Sequence, residues 1–115
     1  TILSSESITG IIVEIAEGLG VKNIDFNTLQ NDHEAIALVD PSGTVIQFLS
    51  YEAAVTATVG PAAGMTSTVL PVSQEPAVTV GLSMQLTGTG SAYNDFTWTL
   101  APDTINTINS GQSFN

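Results

Sequence analysis

Apolar and polar residues alternate along two stretches of the chain. In Leu82-Ser83-Met84-Gln85-Leu86-Thr87, the residues Leu82, Met84 and Leu86 share one parity, and Ser83, Gln85 and Thr87 the other. In Phe96-Thr97-Trp98-Thr99-Leu100, the apolar residues again alternate with threonines. Successive side chains of a strand point to opposite faces, so this pattern predicts two strands with one buried and one wet face. Residues 88–95 between them are rich in turn formers and read as a loop, which makes the two strands neighbours.

Upstream, Ala35-Ile36-Ala37-Leu38-Val39 and Thr44-Val45-Ile46-Gln47-Phe48-Leu49 flank Asp40-Pro41-Ser42-Gly43. Pro presets φ for a turn, Asp caps it and Gly leaves it with positive φ, so the unit predicts a hairpin. Both arms are nearly continuously apolar, which predicts a central position covered on both faces. Residues 8–16, centred on Ile11-Ile12-Val13-Glu14-Ile15, read as a further β-branched strand, and residues 21–26 as a short one. Residues 51–58 read as extended chain, and Gly60-Pro61-Ala62-Ala63-Gly64 as a loop. Residues 66–70 add an edge strand ended by Pro71, followed by a turn at Ser73-Gln74-Glu75-Pro76. The polar tail from residue 102 onward has Ile105, Ile108 and Phe114 as its anchors. About seven short strands with turns between them predict an all-β sandwich forming a single domain over residues 1–115. Its expected core is Ile12, Ile15, Ile36, Leu38, Val45, Phe48, Leu82, Met84, Leu86, Phe96 and Trp98.

Composition narrows the setting. The chain has 115 residues, 11 acidic and one basic (Lys22), for a formal charge of −10. Nucleic acid binding rests on Lys and Arg neutralising phosphates, so nucleic acid is excluded as a partner, and an anionic membrane surface is disfavoured. Charged residues make up 10% of the chain, while Thr occurs 15 times and Ser 11 times. A surface wetted by hydroxyls rather than lysines predicts a secreted, extracellular or cell-surface protein. Cys is absent, so there is neither disulfide nor thiolate chemistry. No signal-peptide pattern is visible, and no apolar run approaches the roughly 20 residues of a spanning helix.

Candidate chemistry is sparse. His33 is the only histidine and lies in the polar stretch Asn31-Asp32-His33-Glu34, without a Gly-x-Ser-x-Gly elbow or a cysteine, so it reads as a loop residue rather than a catalytic base. Asp25, Asp32, Glu34 and Asp40 are near one another in sequence and offer oxygen ligands of the kind Ca²⁺ takes. Their spacing does not match an EF-hand, and a solvated acidic face is the preferred reading, with Ca²⁺ as the alternative and the metal ligands unassigned. Asp95 and Asp103, on either side of the Trp98 strand, are equally unassigned. One His and no Cys do not make a zinc set. Paired carboxylates of a glycosidase would need a sugar platform, yet Trp98 alternates with threonines and reads as core. Tyr51 and Tyr93 are aromatic candidates for sugar contact on residue type alone. Gly88-x-Gly90 is a turn, not a phosphate cradle. Lys22, between Val21 and Asn23, reads as an exposed lysine rather than a side-chain cross-link. No catalytic residue, no cofactor and no enzymatic activity are expected.

Several stretches carry a family resemblance. They are Leu29-Gln30-Asn31 with the strand to Asp40, Val45-Ile46-Gln47-Phe48-Leu49-Ser50-Tyr51-Glu52, and Gly60-Pro61-Ala62-Ala63-Gly64-Met65-Thr66-Ser67-Thr68. Downstream come Ser83-Met84-Gln85-Leu86-Thr87-Gly88-Thr89-Gly90, Phe96-Thr97-Trp98 and Asn109-Ser110-Gly111-Gln112-Ser113-Phe114. In this order they resemble the bacterial lamin-tail-type domain of secreted nucleases and large extracellular proteins, over roughly residues 29–115. The resemblance implies an immunoglobulin-like β-sandwich, secretion and an accessory role. Residues 1–28 depart from the pattern. Either Val13-Glu14-Ile15-Ala16 is a displaced opening strand of a shortened sandwich, or the opening strands are lacking and an edge is bare. The expected function is a non-catalytic extracellular structural or adhesive module, with matrix or cell-surface components as partners. The alternative is a self-assembling subunit of a fibre or sheath, in which residues 8–15 are donated to another copy.

Overall fold

The computed structural model describes residues 5–26, 29–30, 33–73 and 80–115. The chain is all-β, as the period-two pattern predicts: among the described residues, eight strands lie in three sheets, joined by loops and one 3-10 turn at Tyr93–Asp95. It divides into two compact units, one of Thr1–Ser5 and Phe26–Val78, the other of Glu6–Asp25 and Thr79–Asn115. No helix among the described residues is long and apolar enough to cross a membrane.

The first unit holds β3 (Ala35–Val39), β4 (Val45–Ser50) and β5 (Thr68–Val69) in the order β3-β4-β5. The first two are the expected hairpin, with Ala35 opposite Ser50 and Leu38 opposite Gln47. Asp40 builds its turn: one carboxylate oxygen accepts the Ser42 amide at 2.9 Å, the Ser42 hydroxyl at 2.7 Å and the Thr44 amide at 2.9 Å. Gly43 leaves the turn at φ +90°, a conformation that suits glycine. The expected edge strand is present as β5, shorter than predicted and parallel to β4. Of the expected extended stretch 51–58, only a single bridge pairs Thr56 with Thr66.

The second unit holds β6 (Leu82–Gly90), β7 (Thr97–Pro102) and β8 (Gln112–Phe114), in the order β7-β6-β8. Met84 faces Leu100 and Leu86 faces Trp98 across β6 and β7, so the two alternating stretches are neighbours as predicted. Strand β6 runs on to Gly90, beyond the predicted end, because β8 adds to it in parallel from Gly88 to Gly90. The same unit contains a hairpin of β1 (Val13–Ala16) and β2 (Leu19–Val21). Residues 8–12 and 22–26, expected in strands, lie outside both.

Burial departs from the expected core. Ile12 is 56%, Ile36 43%, Leu38 39% and Ile15 36% exposed, while Val45, Phe48, Leu82, Met84, Leu86, Phe96 and Trp98 are half-buried. The expectation that the hairpin arms are covered on both faces fails at β3, which is an edge strand exposed from Ile36 to Leu38. Sheets of two or three strands have too little area to cover both faces of each strand. Among the described residues the buried positions are instead Ser50, Tyr51, Ala62, Ser67, Gln85 and Gly90. Polar side chains are tolerated inside where the fold itself supplies hydrogen-bond partners.

Candidate functional site

In the first unit a buried hydroxyl pair ties β4 to the segment before β5. Ser67 Oγ donates to Ser50 Oγ at 2.6 Å and accepts the Val55 amide at 2.8 Å. The backbone repeats the tie, since Ser67 N–H donates to the Val55 carbonyl and Leu70 N–H to that of Ser50, each at 2.8 Å. Next in sequence, Tyr51 is buried and its hydroxyl donates to the Gln30 carbonyl. The Gln30 amide in turn donates to the Glu34 carboxylate at 2.9 Å. Burial pushes the Tyr51 hydroxyl up from its ordinary value, and the carboxylates of Glu34 and Glu52 act the same way. The phenol therefore stays protonated and works as a strut rather than a sugar platform.

In the second unit a shallow cleft of about 260 Å³ is lined by Ser83, Met84, Gln85, Asp103, Thr104, Ile105 and Asn109. Gln85 is 4% exposed and its Nε2 donates to Ser83 Oγ and to the Pro102 carbonyl, both at 2.8 Å. Its Oε1 is buried without a partner among the described residues. The alternation that assigned Ser83 and Gln85 to the wet face is thus overturned: this parity holds the most buried side chain of β6. Asn109 organises the far wall. Its Nδ2 donates to the Leu86 carbonyl and to Gln112 Oε1, each at 3.1 Å, and its Oδ1 accepts from Thr104 Oγ1 at 2.7 Å. Asn109 stood in the recognised tail motif but carried no role there. No local signal marks it: Gln112, its partner three residues on, lies between Gly111 and Ser113 in an evenly polar stretch.

The carboxylates do not converge. Among the described residues no group of three or more His, Asp or Glu side chains is placed to hold a metal ion. Asp25 accepts from Asn23 Nδ2 at 2.9 Å, and Asp32 lies outside the described residues. Asp95 accepts the Ser91 and Ala92 amides at 2.9 Å each, closing the loop after β6. These amides hold the Asp95 carboxyl below its ordinary value, and the Ser42 hydroxyl with the Thr44 amide does the same for Asp40. Both carboxylates serve as turn caps. A Cβ at Gly90 would stand 2.2 Å from Asp95 Cβ, so only glycine admits the cap.

The remaining sequence candidates are scattered. His33 is exposed just before β3, with φ +48°. Lys22 is exposed just after β2. Tyr93, 40% exposed, accepts the Trp98 indole N–H at 2.9 Å, so the two aromatics form one half-wet pair. The rings of Phe96 and Phe114 meet at 5.3 Å with a 55° tilt, which anchors the tail as expected. The fold thus defines an all-β protein whose polar interior braces strands. No family model, curated protein or solved structure matches the chain.

Proposed function

We propose that the chain is a non-catalytic structural or adhesive module, secreted or held at the cell surface, of lamin-tail type and immunoglobulin-like. One observation carries this reading. Apolar side chains in and beside the small sheets stay in solvent: Ile11, just before β1, is 85%, Val13 on β1 64%, Ile46 on the central strand β4 59% and Ile36 on β3 43% exposed. Such surfaces gain by contact with another macromolecule. The acidic residues act as turn caps and bulk charge, so no cofactor enters the reading, and a chain with one Lys and no Arg is unsuited to nucleic acid. Beads coated with the chain should be retained on cell-surface or matrix preparations, while albumin-coated beads should not. Equal retention of both overturns the reading.

The self-assembling reading also has an observation behind it. Among the described residues β1 pairs only with β2, and an isolated two-stranded hairpin is marginal in water. Residues 8–15 would then be donated to a second copy. Light scattering at high concentration separates the two readings: fibres or rings support assembly, and a monomer supports the simple module.

A further inference from the structure

We propose that the outer edge of β3 takes up an extended, cationic segment of another protein as an added strand. The inference deepens the adhesive reading by naming the chemistry of the partner. Strand β3 hydrogen-bonds only with β4 among the described residues, so half of its backbone groups face outward. Its five residues are apolar, and Ile36, Ala37 and Leu38 are exposed. An unpaired edge of this kind accepts a strand from outside, with the backbone supplying affinity and alternate side chains supplying selectivity.

Charge decides what that strand is. Residues 26–78 carry Asp32, Glu34, Asp40, Glu52 and Glu75 with no Lys or Arg. Glu34 directly precedes β3 and Asp40 directly follows it, so carboxylates bracket the edge at both ends. A strand about five residues long with an apolar middle and lysines at its ends would bury Ile36 and Leu38 and set its cations within a Debye length, about 8 Å, of both acids. A second copy is a poorer occupant. The chain carries −10, and its most exposed strand segment holds Glu14 where a cation is wanted.

The experiment titrates the whole chain with a fluorescent nine-residue peptide of alternating valines and threonines flanked by lysines. Its control is the same peptide with alternate backbone amides methylated, which keeps charge and side chains but cannot add as a strand. One-to-one binding of the first and none of the second is expected. Leu38→Lys should weaken binding at least about tenfold, and Val69→Lys, the same charge change on the opposite edge of this sheet, by no more than about twofold. Circular dichroism reports whether each variant folds, and the methylated peptide tests the native chain if Leu38→Lys does not. Equal binding of both peptides, or equal weakening by both variants, overturns the proposal. Absent peptide binding together with a dimer that Leu38→Lys dissolves overturns it in favour of a second copy. Peptide uptake by a chain that fails the bead assay would sink the adhesive reading and leave this edge standing.

Discussion

The hydroxyl of Ser67 donates to that of Ser50 at 2.6 Å while it receives the Val55 amide at 2.8 Å, so one side chain closes two ties in the buried part of the first unit. Ser67→Ala removes both and strands the Val55 N–H. It should cost about 1–3 kcal/mol, the range for a buried group left unpaired. Ser113→Ala, on an exposed residue that meets Thr89 at a long 3.3 Å, should change stability by less than about 0.5 kcal/mol. Urea unfolding midpoints rank the two, and a reversed order contradicts the assignment.

Gln85 offers a test by charge. Its Nε2 donates to the Pro102 carbonyl, and a glutamate there can donate only while protonated. Burial and the missing donor raise the folded pKa of the carboxyl in Gln85→Glu above its unfolded value. The variant's stability is then greatest below the unfolded value and falls as pH rises through the folded one. The loss should show as a fall in stability between pH 4 and pH 7 that the wild type lacks. A variant with the wild-type pH profile would show that position 85 is wet.

Asp40 and Asp95 predict the acid limb of the native protein. Both are held below the ordinary value of 3.8 by hydrogen bonds to the ionised form. Their contribution is present above the unfolded value and is lost as pH falls through the lowered folded one. The double variant Asp40→Asn, Asp95→Asn should therefore lose less stability than wild type between pH 5 and pH 2. Thermal melts across this window decide it, and parallel curves would count against the caps.

Trp98 is half-buried and its indole N–H reaches the Tyr93 hydroxyl. Trp98→Ala should cost about 2 kcal/mol, less than for a fully packed aromatic. Tyr93→Phe removes the acceptor alone and should shift tryptophan emission with a stability change under about 1 kcal/mol. An unchanged emission spectrum would separate the two rings.

Some of this architecture was legible because local signals and the fold agree. The Asp40-Pro41-Ser42-Gly43 turn and the two strands around Met84 and Trp98 depend on near neighbours, and the structure places the turn and the strand pairing, though not the strand faces, as read. Strand β8 was not legible. Its pairing with β6 spans residues 88 and 112, and polar Gln112 and Ser113 carry no strand periodicity. The buried Gln85 inverted the expected faces because alternation ranks side chains by polarity, whereas burial follows whether hydrogen bonds are available inside. Ser50 and Ser67 were hidden for the same reason, in a chain where serine is everywhere.

The parallel pairing of β8 with β6 also sets how this chain would bear load. Tension entering β6 at Leu82 and leaving through Asn115 pulls two parallel strands in opposite directions along their length. The bonds from Gly88–Gln112 to Gly90–Phe114 are then sheared together instead of being peeled one after another. The parallel contact of β4 with β5 meets an axial pull in the same way. Each unit therefore holds one pair of parallel strands that an axial pull would shear rather than peel.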